Sequence, residues 1–220
     1  CAELSQKLGV NFQEAENHCE AQGAKDSFVA AHAELKTIAV SLSKIANDIR
    51  WLGSGPRCGL FELLLPETQP GSSIMPGKVN PVIAESMIQV ACRVIGNDAV
   101  VTTAGLGGIG SLFELNVAMP VMIDAFMESV KLLTNVSNVF VDKLLTRLVL
   151  NAERCRALID QSLMMVTSLA PVLGYETCAK LAKQAFKEDK TIRQLVTEQN
   201  LLPADKLNEL LDPDSMTRPS

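Results

Sequence analysis

Ser72, Ser73, Lys78 and Asn80 lie within one nine-residue stretch, punctuated by Pro66, Pro70, Pro76 and Pro81 and by Gly71 and Gly77. Proline lacks an amide proton and clashes with the preceding turn, so no helix runs through residues 66–81. A long loop inside a helical chain more often carries function than merely connects. Asn80 followed by Pro81 is the preferred order for an N-cap and a first helical residue. The hydroxyls, the ammonium and the amide are therefore expected to gather at the positive end of the next helix, where unpaired backbone amides also point. An anion suits such donors, and a carboxylate suits them well. A Gly/Pro-rich surface hinge with an incidental lysine has the same composition and stays open at this point.

Two familiar chemistries fail on spacing. Five residues separate Gly71 from Gly77-Lys78 where a nucleotide-binding P-loop has four, Val79 stands where Ser or Thr would hold magnesium, and no strand precedes the segment. Ser-x-x-Lys acylation fails as well, because neither Ser72 nor Ser73 lies three residues before Lys78.

The elements that must position this loop are helices. Phe28, Leu35, Ile38, Leu42, Ile45, Ile49 and Leu52 recur at steps of three, four or seven, predicting an amphipathic helix over 28–52 that stops at Gly53-Ser-Gly-Pro56. Helices follow over 82–103 and 117–148, the latter with Pro120 in its first turn or at a kink. Val121, Phe126, Met127, Val130, Leu133 and Phe140 make that third segment apolar on several faces, so it is expected at the centre of a bundle and shared between subunits. Shorter helices are expected over 153–169, 176–188, 191–199 and 204–211, jointed at Pro171, Gly174 and Pro203. No alternating β-branched run competes with this reading. The expected fold class is all-α, with a partial long-helix bundle domain over 1–148 carrying the loop and a small carboxy-terminal helical domain over 149–220.

Composition narrows the partners. At 220 residues with 47% hydrophobic and 20% charged residues, the chain is too apolar to be disordered and long enough to bury a core. Its net charge of −5, with both signs interspersed, offers nothing to a nucleic acid or an anionic membrane. The uncharged stretches 99–113 and 161–175 are too short to span a bilayer and are broken by Gly or Pro. Six cysteines without a Cys-x-x-Cys pair fit a reducing compartment, with Cys58 and Cys92 expected as small buried hydrophobes. His18 and His32 have no neighbour at metal-ligand spacing, so no metal is expected, and His32 and Met75 are expected to pack rather than react. The opening Cys, without a signal peptide, suggests a processed product or a fragment.

Gly71-Ser-Ser-Ile-Met-Pro-Gly-Lys-Val-Asn-Pro81 resembles the signature loop of the aspartase/fumarase superfamily. Lys44-Ile-Ala-Asn-Asp-Ile-Arg50, Gly53-Ser-Gly-Pro-Arg-Cys-Gly59, Phe113-Glu-Leu-Asn-Val117 and Gly174-Tyr175 extend the resemblance over essentially the whole chain and narrow it to the class II fumarases. Gly77 favours the hydratase, since aspartases usually carry Pro-Ala-Lys where this chain has Pro-Gly-Lys. One departure is the run Gly107-Gly-Ile-Gly-Ser-Leu112, where family fumarases often show Gly-Gly-x-x-Gly.

The resemblance implies the carboxy-terminal half of an aspartase/fumarase-type long-helix bundle that works without cofactor or metal. It implies the reversible hydration of fumarate to (S)-malate, a tricarboxylic acid cycle step, in the cytoplasm or, in a eukaryote, the mitochondrial matrix. By resemblance Ser72 is the base, Glu85 partners a histidine from the missing half, and Ser73, Lys78, Asn80 and the Val79 backbone hold the substrate carboxylate. The amino-terminal half would add a Ser/Thr loop and a Thr-His pair, completing composite sites in a homotetramer. Taken on its own, Glu85 reads as a first-turn acid complementing a helix dipole. Aspartate ammonia-lyase and a catalytically silent helical assembly fragment remain as alternatives.

Overall fold

In the computed structural model, which describes residues 1–217, the chain is all-α apart from a few two-residue strands. It forms two compact units, one ending at Val149 and the other starting at Leu150. In the first unit, two short helices, α1 (Ala2–Leu8) and α2 (His18–Gly23), precede three long ones, α3 (Asp26–Leu52), α4 (Val82–Gly105) and α5 (Met119–Lys143).

Buried residues on facing helices recur at every seventh position. His32, Ala39 and Ala46 of α3 meet Asp98, Ala91 and Ala84 of α4 in that order. Met122, Ser129 and Val136 of α5 repeat the same step. Seven residues return a helix to nearly the same face after two turns, the period of a supercoiled seam. Partner numbers on α4 fall as those on α3 rise, so the pair is antiparallel. Alanine at these levels lets the two backbones approach closely.

Within this unit the middle helix is α4, which packs along both α3 and α5, whereas α5, the segment expected at the centre of a bundle shared between subunits, keeps Val121, Ile123, Met127 and Val141 exposed. Small or polar buried side chains let α4 accept a neighbour on each side, while two flanking helices leave the extra apolar faces of α5 uncovered. α5 also ends at Lys143, before a 3₁₀ turn at Leu145–Arg147, and Pro120 lies in its first turn, where a missing amide costs no hydrogen bond.

A polar layer interrupts this apolar seam. The ring of fully buried His32 places Nδ1 3.1 Å from Asp98 Oδ1 and Nε2 2.9 Å from Ser129 Oγ. Asn97 donates to Ser129 Oγ at 3.1 Å and to Glu128 Oε2 at 2.8 Å, and Arg93 forks onto the same Glu128 carboxylate. On the other side Lys36 Nζ lies 2.5 Å from Asp98 Oδ2. Among the described residues no buried side-chain nitrogen or oxygen lacks a partner. Burial pushes the Asp98 carboxyl up, but hydrogen bonds from Lys36 and His32 outweigh it and hold the group below the usual carboxylate range.

The second unit contains α6 (Ala152–Gln161), a 3₁₀ segment at Leu163–Leu169, α7 (Ala170–Leu173), α8 (Tyr175–Glu188), α9 (Ile192–Glu198), α10 (Ala204–Leu210) and α11 (Pro213–Met216). Leu169, Leu181, Ile192, Leu195, Val196 and Leu207 form its core. The single helix expected over 153–169 is broken at Ser162, which leaves helical geometry at ψ 126° while its hydroxyl accepts the Met164 amide and starts a new turn. Thr191 and Gln194 form a capping box at the start of α9. The expected burial of Cys58 and Cys92 is also corrected: both are exposed, Cys58 in the turn after α3 and Cys92 on the outer face of α4, while Cys178 is the buried one. Among the described residues no helix is long and apolar enough to cross a membrane.

Replacing Asp98 with Ala leaves His32 and Lys36 without their carboxylate and is expected to cost about 3 kcal/mol in urea unfolding followed by circular dichroism. Because Asp98 titrates lower in the folded than in the unfolded chain, its stabilisation is present above the ordinary carboxylate range and is lost as pH falls through the folded value. The stability gap between the native chain and Asp98→Asn should therefore stay constant down to about pH 5 and narrow as pH falls below about 4. A gap that stays constant throughout contradicts the assignment.

Candidate functional site

The loop begins from a pinned stem. After α3, the Glu62 amide donates to the Leu52 carbonyl at 2.9 Å and the Phe61 amide to the Ser54 carbonyl at 2.8 Å, turning the chain back. Leu63 and Leu65 then pack on the cluster of Ala46, Ile49, Ala84, Met87, Val136 and Phe140. Because α3 and α4 are antiparallel, this stem sits where α3 ends and α4 begins.

Residues 66–81 close on themselves through backbone. A Cβ added to Gly71 would lie 1.6 Å from the Lys78 carbonyl oxygen, so only glycine permits the two limbs of the loop to touch. Asn80 donates from Nδ2 to the Gly71 carbonyl across the same mouth. Met75-Pro-Gly-Lys78 has the composition and hydrogen bond of a type II turn: Pro76 is second, Gly77 is third at φ 78°, and the Lys78 amide donates to the Met75 carbonyl at 3.3 Å. Ser72 Oγ accepts two backbone amides, from Ile74 and Met75, each at 3.2 Å. Two fixed donors on one oxygen favour negative charge there.

Asn80 does not cap α4, contrary to expectation. The helix starts at Val82, Pro81 precedes it, and no side chain caps it. The Asn80 amide group is committed to Gly71, and a side chain reaching backwards across the loop does not also turn forward onto the helix amides. The positive end of this 24-residue helix is left open beside the loop. Glu85 stands in its first turn, half-buried, with its amide bonded to the Pro81 carbonyl at 2.9 Å. Among the described residues neither Lys78 nor Glu85 forms an ion pair, and the Val79 amide has no hydrogen-bond partner.

The loop contacts hold the backbone of Gly71, next to Ser72, against the backbone of Lys78 and Val79 and the side chain of Asn80. Ser73 is exposed next to Ser72, and Glu85 lies one turn into α4. Sequence reasoning missed the donors on Ser72, because backbone amides carry no side-chain signature. Met75, expected to pack, is half-exposed and contributes its amide instead. A second cluster, Ser129–His32–Asp98, has the spacing of an acyl-transfer triad, yet Ser129 and His32 are fully buried and the Ser129 hydroxyl donates to the Ala125 carbonyl at 2.9 Å. No substrate atom reaches it, so its role is structural.

The altered run before Phe113 also has a physical account. Gly108 takes φ 81°, and a Cβ on Gly110 would lie 1.8 Å from the Ala104 carbonyl oxygen, so both glycines serve a tight turn out of α4. Buried Asn116 then bonds the Ala104 carbonyl at 3.0 Å and accepts the Ala118 amide at 2.8 Å, tying the end of α4 to the start of α5.

Residues 1–96 match a family described as Lyase, and residues 165–218 match one described as Fumarase C C-terminus. Together with the long-helix bundle and its loop, these matches place the chain in the aspartase/fumarase superfamily. The chain is 54% identical over 188 residues to a class II fumarate hydratase of Mycobacterium tuberculosis, covering 86% of this chain and 39% of the relative. It is 45% identical over 219 residues to the mitochondrial fumarate hydratase 1 of Arabidopsis thaliana, covering 100% of this chain and 44% of the relative. A class II fumarase structure from Schistosoma mansoni superposes with a TM-score of 0.90 at 36% identity, over 98% of this chain and 48% of that one. The chain belongs to the class II fumarase family, and it spans less than half the length of these relatives.

Gly71→Ala is expected to push the loop limbs apart and free the Ile74, Met75 and Lys78 amides, read as faster hydrogen exchange in residues 66–81 with unchanged far-UV circular dichroism. Unchanged exchange would show that the close approach of Gly71 to Lys78 does not hold the loop.

Proposed function

We propose that this chain is the carboxy-terminal half of a class II fumarase, which interconverts fumarate and (S)-malate. The observation carrying this reading is the Ser72 hydroxyl, bonded by two backbone amides in a loop that also carries an unpaired lysine and leads into an uncapped helix terminus. A serine serves as a base only where its alkoxide is strongly favoured, and fixed amides aimed at its oxygen contribute to that.

In the malate-to-fumarate direction, Ser72 removes a proton from the carbon next to a substrate carboxylate. The electron pair moves into that carboxylate, whose growing charge is held by Lys78, Asn80, Ser73 and the Val79 amide. The carbon–oxygen bond on the neighbouring carbon then breaks, and hydroxide leaves as water with a proton delivered through a histidine of the amino-terminal half, partnered by Glu85. Each donor on the growing charge contributes about 3 to 4 kcal/mol to lowering the barrier. The reaction is redox-neutral, so acid–base groups suffice and no cofactor is invoked.

In this reading residues 1–148 are part of the central helical domain and 149–220 form the carboxy-terminal domain. The exposed apolar residues Ile38, Ile45 and Trp51 of α3 and Val121, Ile123 and Met127 of α5 face other subunits of a homotetramer, which completes the composite sites. The six free cysteines suit a reducing compartment, the cytoplasm or the mitochondrial matrix of a eukaryote.

Malate turnover, followed by the ultraviolet absorbance of fumarate, should be absent with this chain alone and appear when the amino-terminal half is supplied. In that mixture Ser72→Ala should lower kcat by about 10² to 10⁴. Turnover of aspartate in place of malate would identify an ammonia-lyase, and no turnover of either would identify a silent assembly module. The same mixture should sediment as a tetramer; a well-behaved monomer contradicts shared active sites.

A further inference from the structure

The geometry points to the outer face of α8 as a docking surface for an acidic amphipathic helix of a partner protein. Cys178, Leu181 and Ala185 bury one side of α8 in the core of the second unit. About a quarter-turn round the helix from this buried side, Tyr175 and Phe186 are 83% and 81% exposed, among the most exposed large side chains of the molecule. Eleven residues are three helical turns, so the two rings share one face about 16 Å apart. Ala179 lies on the same line, leaving a shallow saddle between two aromatic ends.

The flank beside this line is basic. Lys180, Lys183 and Lys187 recur at steps of three and four, all exposed, and among the described residues none is in an ion pair. Beyond the lysines the surface is already satisfied: Gln184 bonds Glu188 and Gln199, and Lys190 bridges Glu188 and Glu198. Only the aromatic line and the lysine line therefore lack partners. Glu176, in the first turn, is the one carboxylate among the lysines.

A chain with net charge −5 that gathers three unpaired lysines beside two exposed rings presents a local surface of opposite sign to its own average. Its complement is a helix with aliphatic residues at i, i+4 and i+11 and Asp or Glu along the adjoining edge. Rings three turns apart do not suit consecutive nucleotide bases, which favours the peptide over a single-stranded nucleic acid.

The test uses a fluorescein-labelled synthetic 18-residue peptide, about five turns long, with Leu facing the ring line and Glu facing the lysine line. Its fluorescence anisotropy is titrated with the 220-residue chain. Saturable binding is expected, weakened by salt and at least about tenfold weaker for Phe186→Ser and for Lys183→Glu/Lys187→Glu, a change of about 1.4 kcal/mol. These variants touch only exposed positions, and circular dichroism checks their fold. Independently, the peptide should protect Tyr175, the only tyrosine, from acetylation. Absent binding, equal binding of a scrambled peptide, indifference to the substitutions, or equal competition by oligouridylate overturns the proposal.

Discussion

The hydrogen bonds from the buried His32 ring to Asp98 on α4 and Ser129 on α5 tie three long helices together at one level. Sliding any of them by a turn would leave an imidazole and a carboxylate in the interior without partners, a cost that apolar side chains alone do not impose. The alanines seven and fourteen residues away then fall into register, and the backbones close up around them. That register determines where α4 begins relative to the end of α3, and so where the loop between them must stand. A polar layer remote from the proposed chemistry thus sets the position of its base.

Within the loop the work is done by backbone more than by side chains. Gly71 allows one limb to touch the other, Pro76 and Gly77 make the reversal, and the amides of Ile74 and Met75 converge on Ser72 Oγ. Lys78 stays without an ion pair, and the first turn of α4 stays without a cap. Both leave positive charge unspent where the proposed dicarboxylate substrate would sit.

Apolar steps of three, four and seven mark α3 clearly, and prolines mark where α4 cannot start, because helix period and breaker chemistry are local properties. The failures share a cause. The side chain of Asn80 had two possible backbone targets, and contact with Gly71 nine residues earlier decided between them. The segment over 153–169 kept helical composition, yet the Ser162 hydroxyl took the Met164 amide and broke it. That α4 has a neighbour on each side within one chain is a fact of tertiary packing, which no single segment encodes. His32 is a buried structural residue rather than a reacting one, but its partners lie 66 and 97 positions away, so no local pattern revealed them.

By itself the amino-acid order determined the all-α class, the helix periods, the place of the loop and the residue types that could hold an anion, since each follows from interactions among near neighbours in the chain. Only the tertiary structure decided which donors meet Ser72, which carbonyl takes Asn80 and which helix is flanked on both sides. Those outcomes depend on contacts between groups far apart in sequence, and such contacts exist only after the antiparallel register has formed.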